Sequence, residues 1–514
     1  MPAAKRTASD RSPLSDTGPL DLQIPKPFAA DQLVFGGGRK MEAVEDGRFD
    51  PEIPAIAIGG EGGELAMGTI EDHVRVLLKG LGEDPEREGL RKTPMRVAKA
   101  FRDGTRGYRQ KVKDIVQDAL FPEAGLDNGT GQAGGAGGLV VVRDINLFSL
   151  CESCLLPFSI QCHVGYVPSG KRVVGLSKLS RVADIYAKRL QEPKRLADEV
   201  CWALQNTINP AGVSVALQCW HIRFPEVLKC NPNPSHPSRS TTKQGWVRTT
   251  VCSSTGIFNE KNSSLWDEFH GLLKLRGINL SDAGCSSIHS WCQSMFLDLK
   301  ECHGNISRSN FSIGKVSSQS AMVAAVASIL QSLGEDLSRK ELFGTAYRYV
   351  HWLMNFRRSN LDLKQTKLTI NSAHSYEKVN GYIHSRDEIH SELSFPFCAQ
   401  CEHHLLPFHG VVHIGFFHDR PIDRSSLQSI VHFYACKLQV QERLTRQIAE
   451  AVYSFLAKGV MVVVEANHIC MISRGIEKVG SSTATMAMMG QFSTDFTARA
   501  LFLEAISMST AIGG

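Results

Sequence analysis

Apolar positions recur at helical spacing in two separate stretches: Ile70, Val74, Val76, Leu77, Leu78 and Leu81, then Met322, Val323, Val326, Ile329, Leu330 and Leu333. That three-to-four-residue period is one buried helix face. A second helix is predicted to open near Thr93 in the first stretch and near Thr345 in the second. Further along, β-rich runs predict strands at Leu139–Ile145, His163–Val167 and Val213–Leu217, and again at His413–Phe417 and Val460–Ala466. Helices over Ser177–Leu190 and Ser425–Leu438 are expected to run on into a second helical stretch after the following Gln. Strands and helices mixed without strict alternation predict an α+β fold, a largely antiparallel sheet with packed helices.

The doubling of this pattern is a tandem duplication. LGEDPEREGL begins at Leu81 and LGEDLSRKEL at Leu333; CESCLLPF begins at Cys151 and CEHHLLPF at Cys401; RLQEPKRLADEV from Arg189 answers KLQVQERLTRQI from Lys437. Three matches in one order at nearly one offset predict two copies, placed at 68–276 and 315–514. A polar, Ser- and Asn-rich stretch around Asn279–Ser318 marks a linker, bounded at 277–314. Neither it nor the low-complexity insertion Gly131–Gly138 is expected to carry chemistry.

Composition narrows the function classes. A net charge of +5 on 514 residues is slight and does not suggest a nucleic-acid partner. No run of eighteen apolar residues exists, so no membrane partner is expected. Residues 1–67 read as a disordered tail. Its first forty residues carry Asp10, Asp16 and Asp21 and lack the apolar core of a secretory signal, so the expected compartment is cytoplasmic. Fourteen cysteines without compact disulfide spacing suit a reducing compartment, where thiols stay reduced or bind metal.

The densest chemistry is Cys401-Glu-His-His404 and His468-Ile-Cys470. Thiolate and imidazole are the ligands zinc prefers, and three protein ligands leave a fourth position for water. Cys401 and His404 can close on one ion. If the run before Cys470 continues as a strand, His468 and Cys470 point to one face. The bland alternative is buried Cys and satisfied core His. The other is a four-ligand structural zinc, for which Cys398 is the nearest further ligand.

CEHHLLPF, QVQERLTRQIA and a downstream HxCM…RG together resemble GTP cyclohydrolase I, in the form that plants build from two tandem domains. The resemblance implies the tunnelling fold, Zn2+ as cofactor and GTP as substrate. It further implies hydrolysis of GTP to 7,8-dihydroneopterin triphosphate and formate, the first step of pterin and folate biosynthesis. It implies a homo-oligomer whose sites form at subunit interfaces. Carried over residue by residue, the zinc ligands are Cys401, His404 and Cys470, and the acid/base histidines are His403 and His468. Glu442 matches the guanine-binding carboxylate, with Gln441 beside it, and Arg474 matches a triphosphate contact.

Neither copy matches the family completely. In copy one Ser153 and Cys154 replace the two histidines, Arg223 replaces the third ligand and Lys194 the guanine-binding Glu. Copy one is therefore expected to hold no catalytic zinc, Cys151 and Cys154 being a remnant pair, with about one zinc per chain. It keeps instead the family's phosphate-binding GLSKLxR as Ser177, Lys178 and Arg181, together with Arg96 and Lys99. Copy two has Ser426 and Ser429 where GLSKLxR has its Lys and Arg, and His351 opposite Lys99. A composite site is expected, with metal, histidines and guanine recognition from copy two and the phosphate clamp from copy one. The rival readings are a non-catalytic GTP- or pterin-binding regulator, a structural zinc module, or another zinc hydrolase such as a deaminase. A deaminase would need H-x-E and P-C-x-x-C motifs that His390-Ser-Glu392 and Cys398–Cys401 imitate only loosely.

Overall fold

The computed structural model describes residues 69–116, 120–122, 138–169, 172–223, 245–259, 264–280, 291–292, 313–358, 389–417, 422–456, 458–475 and 481–512. All of them belong to one compact unit spanning 64–514. The tail at 1–67, nearly all of the Gly-rich insertion and most of the stretch read as linker lie outside the described residues.

Copy one runs α1 (Ile70–Gly80), α2 (Thr93–Gly104), α3 (Val112–Val116), β1 (Leu120–Pro122), β2 (Val140–Cys151), β3 (Pro157–Val167), β4 (Arg172–Val174), α4 (Leu176–Ala187), β5 (Leu190–Gln191), α5 (Pro193–Ile208), β6 (Gly212–Arg223), β7 (Gly245–Gly256) and α6 (Leu265–Lys274). Copy two repeats the plan. It runs α7 (Ile313–Ser332), α8 (Thr345–Arg358), β8 (Ile389–Cys401), β9 (Pro407–Phe417), α9 (Arg424–Ala435), β10 (Leu438–Gln439), α10 (Gln441–Leu456), β11 (Gly459–His468), α11 (Ile469–Ile472), β12 (Thr483–Gly490) and α12 (Phe496–Ile512). Each copy forms a five-stranded sheet of the same order, β5-β2-β3-β6-β7 and β10-β8-β9-β11-β12. All neighbours are antiparallel except the short β5 and β10, which lie parallel to β2 and β8. This is the expected α+β architecture.

Every predicted strand and helix is present, with one correction. The chain does not stay helical after α4 and α9. It breaks into Leu190–Gln191 and Leu438–Gln439, which pair with Leu150–Cys151 and Gln400–Cys401. Pairing beside the Cys motif outweighs helix propensity there. Edge strands β7 and β12 and helices α6 and α12 had no clear periodic signal, since β12 is only partly covered and built from small residues and Met.

One hydrophobic core spans both copies, taking Leu77 and Leu78 from α1 and Val326 and Ile329 from α7. The two helices meet closely because Gly80 carries no side chain: a Cβ there would stand 2.3 Å from Met322 Sδ. Beyond α1 the copies exchange their N-terminal segments. Thr93 Oγ1 of α2 donates to Glu402 O of copy two at 2.7 Å, and Thr345 Oγ1 of α8 donates to Glu152 O of copy one at 2.7 Å. The Tyr108 hydroxyl donates to Glu335 across the same boundary.

Each sheet also carries a bulge at a residue of positive φ, Asp144 in β2 and Ser394 in β8. Its amide donates to a fully buried histidine, Asp144 N to His163 Nδ1 at 3.1 Å and Ser394 N to His413 Nδ1 at 3.3 Å. An acceptor nitrogen cannot carry a proton, so both rings are neutral in the fold. Burial lowers the pKa of His163 to about 4, and it lowers that of His413 as well. The unfolded chain, with histidine near its ordinary value of about 6.5, therefore binds more protons between pH 6.5 and 4. The contribution of His163 is full above pH 6.5 and falls as the pH drops towards 4, by up to about 1.4 kcal/mol per pH unit, and His413 adds to the loss in the same direction. Urea unfolding at pH 7, 6 and 5 should show this slope, and His163→Asn, which keeps an acceptor without titrating, should make it shallower by the share that His163 contributes. An unfolding free energy constant over that range would refute the assignment.

Candidate metal centre

The CEHH segment is a tight turn between β8 and β9. Cys401 N donates to Leu406 O at 2.8 Å and Leu405 N to Cys401 O at 2.9 Å. Leu405 takes a φ of 53°, a left-handed conformation costly for a branched residue. The turn brings His404 back over Cys401, with Nδ1 3.8 Å from Sγ. The third group comes from the far end of β11, whose residue His468 pairs with Phe408 at the start of β9. The strand stops there, and Cys470 lies in the helical turn α11. The expected two-residue alternation of His468 and Cys470 therefore does not apply, because the chain has already left the strand.

Cys401, His404 and Cys470 present ligand atoms all within 4.8 Å of one another. The two thiols are buried and His404 is half-buried. A hydrogen bond from Cys470 holds the Cys401 thiol well below the usual range, while the same contact and burial push Cys470 up. One thiolate and one thiol facing each other in a dry turn suit a cation that would take both as thiolates. Cys398, the candidate fourth ligand, lies outside this cluster, so the three groups that converge here among the described residues are a donor set that fits a metal with one position open.

His468 is fixed from two sides. Its ring stacks on Phe408, centroids 4.6 Å apart and planes within 5°. Its Nε2 lies 2.8 Å from Gln441 Oε1. The Gln441 amide donates to Val464 O at 3.0 Å and Thr483 O at 2.8 Å, so its oxygen must face the ring. His468 Nε2 therefore carries the proton, leaving Nδ1 basic. Gln441, which the resemblance sets beside Glu442 in guanine recognition, is buried and engaged with His468, while Glu442 is exposed in the first turn of α10. His403, about a third exposed, lies 3.9 Å from Glu402 Oε1.

Glu402 is the buried member of the motif. Its Oε2 binds Arg443 of its own copy at 2.7 Å and Arg87 of copy one at 3.0 Å. Burial opposes ionisation, yet Arg443 and Arg87 prevail and hold its carboxyl below the usual range. Thr93 anchors α2 to the same turn, and Arg96 and Lys99 follow on α2, half-buried and exposed respectively. Arg474, after α11, is exposed, with Nε donating to Cys470 O at 3.0 Å. Ser177, Lys178 and Arg181 stand on α4, which packs mainly on α5, β2, α3 and the turn after α2 in its own copy. A cleft of about 780 Å3 runs between copy one's sheet at Phe148, Gln161 and Trp220 and copy two's Ile472 and Gly475. Cys401, His404 and Cys470 do not line it.

In copy one the same turn recurs, with Cys151 N donating to Leu156 O at 2.9 Å and Leu155 at φ 59°. Cys151 and Cys154 are not a lone remnant pair: His221 and Cys292 join them, all four buried, with ligand atoms within 4.8 Å. Sequence reasoning missed Cys292 because it belongs to the polar stretch read as linker; its neighbour Trp291, a large aromatic in a stretch rich in Ser, was the available signal.

The family profile described as GTP cyclohydrolase I matches residues 70–225 and 322–507. A GTP cyclohydrolase 1 of Solanum lycopersicum is 55% identical over 491 residues, covering 92% of this chain and 100% of the relative. One of Arabidopsis thaliana is 52% identical over 490 residues, covering 92% and 98%. One of Dictyostelium discoideum is 42% identical over 208 residues, covering 40% of this chain and 78% of its own. Two profile matches on two sheets of one order, and relatives matched end to end, establish that the chain belongs to the GTP cyclohydrolase I family.

Proposed function

We propose that copy two hydrolyses GTP to 7,8-dihydroneopterin triphosphate and formate, the first step of pterin and folate biosynthesis, at the cluster of Cys401, His404 and Cys470. The observation that carries this reading is the open, three-ligand donor set with two histidines beside it. Zinc suits two thiolates and an imidazole, and when bound it supplies the Lewis acidity that brings a water pKa to about 7.

The chain's own residues do the rest. His468 takes and returns a proton at Nδ1, its Nε2–H being committed to Gln441. His403, half-buried over Glu402, is the second proton carrier. Imidazole side chains, which can both give and take a proton, suit a reaction that adds water, opens a ring and releases formate, because each step moves a proton. Glu442, exposed in the first turn of α10, takes the role of accepting hydrogen bonds from a guanine edge in this reading.

The triphosphate calls for cations, and the composite reading assigns Arg474 from copy two with Arg96, Lys99, Ser177, Lys178 and Arg181 from copy one. The exchange of N-terminal segments supports Arg96, since α2 is bonded to the metal turn through Thr93. The α4 residues are reached through a homo-oligomer, in which α4 of one chain faces the metal turn of another. The cytoplasm suits a chain whose described cysteines form no disulfide; among the described residues no helix is long and apolar enough to cross a membrane.

Zinc-loaded protein given GTP should release formate and develop a pterin chromophore; metal-replete protein that binds GTP without formate would instead support the regulator reading. His403→Ala and His468→Ala should lower turnover roughly 10²–10⁴-fold with copy two's metal retained. Gln441→Leu should act through His468, lowering kcat more than it raises KM and displacing the pH profile. Metal loss in either histidine variant would mean that ligand and proton carrier have been exchanged. Lys178→Ala, Arg181→Ala and Arg96→Ala should each cost about 1.5–3 kcal/mol, roughly ten- to 150-fold, mostly as weaker GTP binding. Unchanged kinetics in all three would leave copy one as a scaffold.

A further inference from the structure

We propose that Cys151, Cys154, His221 and Cys292 bind a second metal ion, zinc, in a closed four-ligand site that fastens the segment between the copies onto copy one. Three thiolates and one imidazole complete a tetrahedron with no position left for water, the composition of a structural rather than a catalytic zinc. Burial agrees: all four ligands are buried here, whereas copy two's His404 is not.

The surroundings are those of a built ligand sphere. The Cys151 turn places Cys154 Sγ 3.3 Å from His221 Nε2. The other ring nitrogen, Nδ1, lies 2.9 Å from Ile222 O. Donation to that carbonyl fixes the tautomer that leaves Nε2 as ligand, a second contact typical of metal-bound histidine. Trp291 covers the site, edge-on to His221 at 4.9 Å and to Phe158 at 4.8 Å. It thereby carries Cys292 into place. Three thiolates, a neutral imidazole and a divalent ion leave a net charge of −1. Arg348 of copy two faces it, donating from Nε to Ser153 O at 2.7 Å, between the first two ligands in sequence.

The site is a conversion of the catalytic one. Cys154 stands where copy two has ligand His404, and His221 stands where copy two has the proton carrier His468. The position of ligand Cys470 is Arg223, and Cys292 from outside the repeat makes up the count. One zinc per chain, expected from the motifs, becomes two.

Elemental analysis of the full-length chain, purified without chelator, should give two zincs per chain. Cys401→Ser/Cys470→Ser should keep one, and adding Cys292→Ser or Cys154→Ser to it should remove that one. Cobalt(II) loaded into Cys401→Ser/Cys470→Ser should show the intense visible bands of tetrahedral thiolate ligation, a readout independent of activity and of whether the Cys292 variant folds. A wild-type chain with one zinc that vanishes in Cys401→Ser/Cys470→Ser would overturn the copy-one site while leaving copy two's standing. An intact mass two hydrogens light, cured by reductant and lost with Cys292→Ser, would overturn it in favour of a disulfide.

Discussion

A buried carboxylate at the second position of each Cys turn organises this molecule. Glu402 and Glu152 are almost entirely enclosed, and a lone carboxylate there would cost several kcal/mol. Each is answered by one guanidinium from its own copy, Arg443 or Arg195 at 2.7 Å, and one from the other copy, Arg87 at 3.0 Å or Arg339 at 3.1 Å. The threonine that opens α2 or α8 then holds the carbonyl of the same glutamate. Such a pair is weak as a source of net stability but strict about geometry, since removing one partner leaves a buried charge. Each Cys turn is thus completed only when the other copy is in place.

That dependence gives copy one a reason to persist without the family's catalytic residues. Its LGEDPEREGL segment supplies Arg87, and the start of α2 supplies Thr93, to the turn that carries Cys401 and His404, and copy two returns Arg339, Thr345 and Arg348. Copy one can change its own turn freely so long as this exchange survives. The two turns have kept the same backbone hydrogen bonds and the same left-handed leucine while their side chains diverged, one to an open three-ligand set and the other to a closed four-ligand set.

Much of this was readable along the chain because it is local. Periodicity at Ile70–Leu81 and Met322–Leu333 specifies α1 and α7, whose buried face follows from spacing alone. The three repeated motifs establish two copies, and CEHH with HIC names the three groups that converge in copy two. The failures are equally local in cause. Alternation predicted a common face for His468 and Cys470, but α11 begins between them. Helix continuation after α4 and α9 ignored two residues whose strand pairing is supplied by β2 and β8.

What only tertiary structure decided are the contacts between residues distant in sequence. Arg87 and Glu402 are 315 residues apart, and Cys154 and His221 are 67 apart. No pattern within either segment announces the other, because backbone geometry constrains neighbours within a few residues whereas these meetings depend on how two sheets and their helices pack. Cys292 shows the difference most plainly. In sequence it is a thiol in a polar stretch; burial of Trp291 against Phe158 and His221 goes with its place beside Cys151, Cys154 and His221. The sequence by itself determined the repeat, the α+β class and the donor types. The tertiary packing decided which of those donors converge and how deeply each cluster is buried.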